Sequence, residues 1–348
     1  MRPTWNYHYS TLPYNAAAMS EFRFNRVTGD WVIIAMERAR RPEDHIIRMN
    51  RRDMPPHVDT CPFCVGNEDH AATIFAEPAE GQWAVRLVKN KFPALVPELE
   101  HHVDGDTMSR RMTGVGYHEI LVSSRDHNRF LYEQSTDEVA RVWTALRRRY
   151  IEIGGDQRVS LVVIYKNHGA SAGAALEHPI WQIMATPILP NDVRHRTQDA
   201  RQFYDENGFC LFCGIIGEEQ KSGARIIHRS HHFVSFVPFA AISPFHMWLM
   251  PLRHTPDFGM VTDEELTDLS THIRRLMRKV YFGLDDPDYN LVVRTVLERS
   301  SDARSFHWYI SIIPRVTQPA GFELGSGMFI NASIPEKSAE FLRNINAG

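Results

Sequence analysis

The sequence predicts an α+β fold in which one unit, an antiparallel sheet with a long helix against one face, occurs twice. Two observations indicate the duplication. Each half begins with a Cys-x-x-Cys pair, at Cys61–Cys64 and at Cys210–Cys213, and each continues with the same order of strand-like segments, helix and histidines. A repeated element order at this scale is typical of a duplicated fold, and it matters more than any single spacing.

A long helix is predicted in each half by a capping box followed by helical periodicity. Ser135 is followed three residues later by Glu138, and Thr262 by Glu265, the spacing in which side chain and backbone cap each other. Apolar residues then recur every three or four positions, which predicts one buried face per helix. These residues are Val139, Val142, Leu146 and Tyr150 in the first helix, and Leu266, Leu269, Ile273, Leu276 and Val280 in the second.

Strand-like apolar segments surround each helix in the same order. They cover residues 83–95, 117–123 and 161–165 in the first half and 232–241, 245–251 and 290–294 in the second. The strands form either two sheets or one continuous sheet, and both arrangements stay open at this point. We expect a loosely ordered N-terminal segment at 1–19 and domains at 20–195 and 196–348, divided within the polar stretch 191–207.

Size and composition exclude several classes of protein. The chain has 348 residues with a formal net charge of −3, which gives no general reason to expect nucleic acid as a partner. No apolar run approaches the roughly 20 residues that span a bilayer, and the N-terminus has no secretory signal pattern. Four cysteines are too few for a disulfide framework in a chain of this length, so we expect a cytoplasmic protein.

Histidines at matching positions complete two sets of metal ligands. Zinc prefers four sulfur or nitrogen ligands in a tetrahedron, and Cys-x-x-Cys lets two thiolates reach one ion from a single turn. We therefore expect two zinc ions per chain. The two sets are Cys61, Cys64, His127 and His178 in the first half, and Cys210, Cys213, His254 and His307 in the second.

Two alternatives to this metal assignment deserve comparison. His118 competes with His127, but it lies inside a strand, whereas His127 follows the end of its strand as His254 does in the second half. The repeat therefore favours His127. The cysteine pairs could instead be redox pairs, although nothing around them resembles a thioredoxin-like setting.

Several separate motifs occur in the order typical of one family. They are Cys61-Pro-Phe-Cys64-Val-Gly-Asn67-Glu68, Asn90-Lys-Phe-Pro-Ala-Leu95, the segment 167–182 (NHGASAGAALEHPIWQ) and Gly321-Phe-Glu323-Leu-Gly-Ser-Gly327. Over about residues 20–340 the chain resembles the galactose-1-phosphate uridylyltransferase family of the histidine-triad superfamily, which includes ADP-sugar phosphorylases. The resemblance implies a duplicated histidine-triad unit, a homodimer with its active site near the subunit interface, and a nucleotide or nucleotide-sugar substrate.

The resemblance also implies transfer of a nucleoside monophosphate through a nucleotidyl-histidine, but this sequence departs from the family at that histidine. His178 matches the family's zinc ligand, and Gln182 matches the glutamine that contacts the phosphoryl group. The nucleophile position between them is Ile180, which can neither attack phosphorus nor carry a proton. Ala175 stands where the family usually has a phosphate-contacting serine. Together these two changes indicate an altered site.

Other site residues are implied by the resemblance alone. We expect His168 to be a catalytic residue beside Gln182, as a phosphate contact before a nucleophile, and Tyr309, which corresponds to Ile180 in the second half, to be a core aromatic residue. Phosphate and nucleotide contacts are expected from Arg38, Arg41, Asn90, Asn167, Gly169 and Gly173, and sugar contacts from Phe322 and Glu323.

Three hypotheses about function remain open. The first is a nucleotidyltransferase or phosphorylase in which a bound acceptor attacks phosphorus directly, without a covalent histidine intermediate. The second is a nucleotide-binding enzyme of another class, such as a hydrolase, lyase or an enzyme of rearrangement. The third is a catalytically silent nucleotide-binding protein.

Overall fold

A computed structural model describes residues 20–36, 41–45, 52–79, 82–297, 299–300 and 303–347. The predicted N-terminal segment 1–19 and Arg38 lie outside these residues. The first half contains the elements β1 (Glu21–Asn25), β2 (Asp30–Ile34), β3 (Thr73–Glu77), β4 (Val85–Lys89), β5 (Val103–Asp104), β6 (Arg111–Met112), β7 (Tyr117–Val122), α1 (Thr136–Gly154), β8 (Leu161–His168) and β9 (Ile180–Thr186).

The second half adds five of the six α-helices found in the described residues. Its elements are α2 (Asn191–Asn207), α3 (Leu211–Ser222), β10 (Ile226–Arg229), β11 (Phe233–Phe236), β12 (Met247–Pro251), α4 (Asp263–Leu284), β13 (Tyr289–Arg294), β14 (Tyr309–Pro314), α5 (Gly321–Ser326), β15 (Phe329–Asn331) and α6 (Pro335–Asn344). The polar stretch in which we placed the domain boundary therefore forms helix α2. No helix among the described residues combines the length and apolar character needed to cross a membrane.

One antiparallel sheet of ten strands runs through both halves, in the order β10-β11-β12-β14-β13-β8-β9-β7-β4-β3. Outward from its centre, the order β13-β14-β12-β11-β10 corresponds to β8-β9-β7-β4-β3, which confirms the duplicated α+β unit. The halves join where β13 pairs with β8, from Tyr289 opposite His168 to Val293 opposite Ile164. Of the two arrangements left open by the sequence, the structure has the continuous sheet.

The long helices α1 and α4 pack on one face of this sheet, and both predicted capping boxes are present. All the predicted helix-face residues are buried, so the helical periodicity correctly identified the core side. A cluster of aromatic rings fills the space between helices and sheet, with Trp143 touching Trp181 at a centroid distance of 5.0 Å. Burial of such large rings contributes to the stability of the fold. The opposite face of the sheet is left for the candidate site.

Candidate active site and metal clusters

The two predicted sets of cysteine and histidine side chains each come together in the structure. Within each set, one ligand atom from every residue lies within 4.8 Å of the others. In the first cluster the Cys64 Sγ to His127 Nδ1 distance is 3.4 Å, and the Cys61 Sγ to His178 Nδ1 distance is 3.7 Å. In the second cluster Cys213 Sγ lies 3.4 Å from His254 Nδ1 and 3.7 Å from His307 Nδ1.

These distances match the size of a zinc site. Zinc–sulfur and zinc–nitrogen bonds of about 2.3 and 2.0 Å at tetrahedral angles place sulfur and nitrogen ligands about 3.5 Å apart. The far nitrogens of two histidines are also held: His178 Nε2 lies 2.9 Å from the Ser124 carbonyl, and His307 Nε2 lies 2.9 Å from the Pro251 carbonyl. Each Nε2 therefore carries the proton and leaves Nδ1 free to bind a metal. Burial lowers the pKa of His178 to about 4, which keeps it neutral.

A pocket of about 310 Å³ lies beside the first cluster, on the sheet face opposite the long helices. Pro62 and Phe63, the two residues inside the first Cys-x-x-Cys pair, form part of its wall. Strands β4 and β9 form its floor, and the loop between β8 and β9 forms its rim. The lining residues that the sequence had singled out are Asn90, Asn167, Gly173, Ala175, Ile180 and Gln182.

Three carboxamides in this pocket have their oxygen atoms already bonded within the protein. Asn90 Oδ1 accepts from the Phe92 backbone N–H at 2.9 Å, and Asn167 Oδ1 accepts from Asn290 Nδ2 at 2.8 Å. The Gln182 Oε1 atom lies 2.9 Å from His118 Nε2 and 2.8 Å from the Tyr165 hydroxyl. Because the oxygens are occupied, the NH₂ groups are the ends left for a ligand, and such donors suit the oxygens of a phosphate.

Ile180 occupies the pocket next to this donor set. Extension of the β8–β9 register places it opposite Asn167, with Tyr165 opposite Gln182 one row further along. Among the described residues, no histidine lines the pocket. Lys166 does not replace the missing imidazole, because its Nζ donates to the Ile180 carbonyl at 3.0 Å and its side chain is 2% exposed, on the helix side beside Trp181. The position expected to hold the reactive histidine is therefore aliphatic.

Arg86 is a pocket residue that our sequence reasoning missed. It lines the pocket from β4 while only 3% of its surface is exposed, and its Nε has no hydrogen-bond partner among the described residues. The guanidinium lies 5.2 Å from the centre of the Trp83 ring. Burial lowers its pKa from the usual value, a sign of a cation held in poorly solvated surroundings. The available signal was a charged residue between apolar neighbours, Val85 and Leu87, in the strand Val85–Lys89.

His118, the rival metal ligand, takes no part in either cluster. Besides Gln182, it contacts the Ala94 backbone N–H through Nδ1 at 3.1 Å and lies 3.0 Å from Asn90 Nδ2 through Nε2. It thus lies against two of the pocket carboxamides, those of Gln182 and Asn90. The sequence could not reveal this role, because the register that places His118 diagonally from Gln182 depends on the pairing of β7 with β9.

Some predicted site residues lie away from the pocket lining. His168 is 5% exposed, stacks on Tyr289 at 4.7 Å and contacts Arg52, and the adjacent Gly169 has a φ of 83° where a Cβ would overlap Asp288. These two residues are held in a network of charged side chains that supports the rim. The other residues outside the lining are Arg41, which is exposed; Phe322 and Glu323, in the exposed helix α5; and Tyr309, in the core.

Comparison with known proteins identifies relatives along nearly the whole chain. The family model for the N-terminal domain of galactose-1-phosphate uridyl transferase matches residues 11–219. ADP-glucose phosphorylase from Arabidopsis thaliana is 32% identical over 332 residues, covering 94% of this chain and 93% of that protein. Galactose-1-phosphate uridylyltransferase from Thermotoga maritima is 24% identical over 339 residues, covering 93% of this chain and 98% of that protein.

Solved structures give the same result. The crystal structure of an ADP-glucose phosphorylase from Arabidopsis thaliana with bound ADP-glucose has a TM-score of 0.80 at 31% identity, covering 94% of this chain and 99% of that chain. A uridylyltransferase structure shares the fold with a TM-score of 0.73 at 21% identity, covering 93% of this chain and 97% of that chain. The fold, the matched segment and the full-length relatives agree: this chain belongs to the galactose-1-phosphate uridylyltransferase family.

Proposed function

We propose that the pocket transfers a nucleoside monophosphate between a nucleoside diphosphate sugar and phosphate by direct displacement, without a nucleotidyl-enzyme intermediate. The observation that carries the proposal is Ile180, an inert side chain at the position of the family nucleophile, surrounded by carboxamides suited to phosphate. The relative with 32% identity, an ADP-glucose phosphorylase, supports ADP-glucose as the first substrate to test.

In the proposed reaction, an oxygen of inorganic phosphate attacks the α-phosphorus of ADP-glucose. A new phosphorus–oxygen bond forms, the bond from the α-phosphorus to the bridging oxygen breaks, and glucose 1-phosphate leaves while ADP is formed. Charge on the transferred group is stabilised by the NH₂ groups of Gln182, Asn90 and Asn167 and by the cationic Arg86. No protein side chain forms a covalent bond, so Ile180 has no chemical task and bounds the space beside the phosphoryl group.

The experiment is a product assay with ADP-glucose and, separately, UDP-glucose, each with labelled inorganic phosphate. We expect labelled nucleoside diphosphate and glucose 1-phosphate from one of the two sugars, and loss of most activity in Gln182→Ala. Tight nucleotide binding without product would contradict the proposal and favour a silent binding protein. Products that contain no labelled phosphate would instead indicate a hydrolase, a lyase or a rearrangement.

We further propose that both clusters bind zinc, giving two ions per chain. The donor set, the ligand spacings and the protonated far nitrogens described above support a closed structural site of two thiolates and two imidazoles. In the first cluster, ligation of Cys61 and Cys64 would fix Pro62 and Phe63 in the pocket wall. Metal analysis of the purified protein tests the stoichiometry.

A homodimer is proposed from the position of the predicted sugar contacts. Phe322 and Glu323 lie in exposed helix α5, outside the pocket lining of their own chain, so a partner copy could supply them to a sugar. Light scattering of the wild type tests the dimer, and Phe322→Ala and Glu323→Gln, assayed for sugar affinity, test the contribution of helix α5. A monomer with full activity would contradict the dimer.

A cytoplasmic location is proposed as well. The described cysteines form no disulfide, which supports this location.

A further inference from the structure

We infer that His118 and Tyr165 are positioning residues that fix the orientation of the Gln182 carboxamide, so that its NH₂ group faces the phosphoryl group. This inference rests on the proposed function of the pocket. Neither residue lines the pocket, and both act through Gln182, which does. The protonation of His118 decides which end of the Gln182 carboxamide faces the imidazole.

The backbone fixes the tautomer of His118. The Ala94 N–H is 3.1 Å from His118 Nδ1, and a backbone N–H can only donate. Nδ1 must therefore be an acceptor, so the neutral ring carries its proton on Nε2. That proton points to the Gln182 side chain at 2.9 Å, where it requires an oxygen rather than an NH₂ group. The orientation of the carboxamide follows from this chain of donors and acceptors.

The Tyr165 hydroxyl donates a second hydrogen bond to the same oxygen, Gln182 Oε1. Its hydroxyl lies 2.8 Å from Gln182 Oε1, and burial raises the pKa of Tyr165, so the hydroxyl keeps the proton that it donates. Rotation of the carboxamide by half a turn would lose the His118 bond and set two N–H donors against each other. A half-buried donor left unsatisfied in this way is strongly disfavoured.

The same tautomer also affects Asn90. Asn90 Nδ2 lies 3.0 Å from His118 Nε2, but both atoms are donors, so they do not bond to each other. The hydrogens of Asn90 Nδ2 thus remain for an acceptor supplied by a ligand. A phosphate oxygen placed beside Ile180 can receive hydrogen bonds from donors already oriented before it binds, which is the arrangement that lowers the cost of charge stabilisation.

The second half contains a corresponding pair. His246, immediately before β12, lies two residues before Trp248, which pairs with Ser311 on β14, as His118 lies two residues before Ile120, which pairs with Gln182. His246 Nε2 lies 2.9 Å from Ser311 Oγ. The diagonal contact therefore belongs to the duplicated fold. In the first half, a long carboxamide replaces the short hydroxyl and carries the contact to the pocket.

A double-mutant cycle on ligand affinity tests the inference independently of turnover. Binding of ADP-glucose is measured by calorimetry for the wild type, His118→Phe, Gln182→Ala and the double variant. We expect each single change to weaken binding about tenfold, and the double variant to be within about twofold of Gln182→Ala, because both changes remove one interaction. His118→Gln, which keeps a donor, should retain more affinity than His118→Phe. If the fold-losses of affinity in the two single variants multiply in the double variant, the two residues act independently and the inference is wrong.

The control is Tyr117→Phe, matched to Tyr165→Phe. The Tyr117 hydroxyl donates to Asp156 at 3.0 Å, away from the pocket, so its loss should leave affinity unchanged while Tyr165→Phe lowers it. Nitrogen-15 NMR of His118 gives a second readout that needs no ligand. A protonated Nε2 is expected, and a protonated Nδ1 would overturn the inference. Failure of the wild type to bind ADP-glucose or release product would count against the proposed function alone, since the NMR signature still decides the orientation.

Discussion

Replacement of Arg86 by methionine should weaken ligand binding without a large loss of stability. The two effects differ because the guanidinium is buried without full compensation. Its Nε has no partner among the described residues, and only 3% of the side chain is exposed. Methionine keeps the apolar stem and removes the charge, so the variant separates the role of Arg86 in folding from its role in binding.

The expected magnitudes follow from these contacts. Removal of an unsatisfied buried donor raises the free energy of unfolding by about 1–3 kcal/mol, whereas loss of the cation–π contact with Trp83 lowers it by about 0.5–2 kcal/mol. The free energy of unfolding of Arg86→Met should therefore lie between about 1 kcal/mol below and about 2.5 kcal/mol above the wild-type value. A charge-assisted hydrogen bond to phosphate is worth about 1.5–3 kcal/mol, so affinity for ADP-glucose should fall roughly 10- to 150-fold.

Urea denaturation and calorimetric titration measure the two quantities, and Arg149→Met is the matched control. Arg149 is half-buried, and it forms two hydrogen bonds of 2.7 and 2.6 Å with the buried Glu119 on the helix side of the sheet. Its loss leaves a buried carboxylate unpaired and should cost about 3–5 kcal/mol of stability without changing the affinity of the folded protein. Destabilisation of Arg86→Met by as much as Arg149→Met, with affinity intact, would refute the reasoning.

Three further outcomes are expected. Cys61→Ser and Cys210→Ser should each lose about one zinc per chain and lower Tm, but only the first should weaken ADP-glucose binding, because only the first cluster adjoins the pocket. Ile180→His should yield a trapped nucleotidyl-enzyme by mass spectrometry; an unmodified protein would show that Ala175 and other changes have remodelled the site. Burial lowers the pKa of His272 from 6.5 to about 3. Between these values only the unfolded chain binds the proton at this site, so His272 should contribute about 1.4 kcal/mol per pH unit to the loss of stability below pH 6.5, and His272→Gln should reduce the slope by about that amount in urea titrations.

The features that were predictable from sequence depend on local spacing. A capping box needs only residues three apart, and a Cys-x-x-Cys pair places two thiolates on one turn, so the positions of α1, α4 and the two cysteine pairs followed directly. The histidines that cluster with these cysteines were found because each occurs at the same place in two halves. Periodicity also identified which faces of the helices are buried.

The features that were missed depend on pairing between distant strands. The β8–β13 contact joins His168 to Tyr289, and two buried apolar strands give no sequence signal that they are neighbours. The same limitation hid the role of His118. The motif 321–327 gave no prediction of secondary structure; it includes the helix Gly321–Ser326, where the Glu323 carboxylate accepts from the Ala320 N–H.

The stereochemical course at phosphorus tests most directly whether transfer occurs in a single displacement. ADP-glucose with a chiral phosphorothioate at the α-phosphorus would be converted with inorganic phosphate, and the configuration of the resulting thio-ADP would be determined by phosphorus NMR. Direct attack within a pocket that holds Ile180 predicts inversion. Retention would mean two successive displacements, and hence a nucleotidyl-enzyme on a residue other than the family histidine, which would contradict the account.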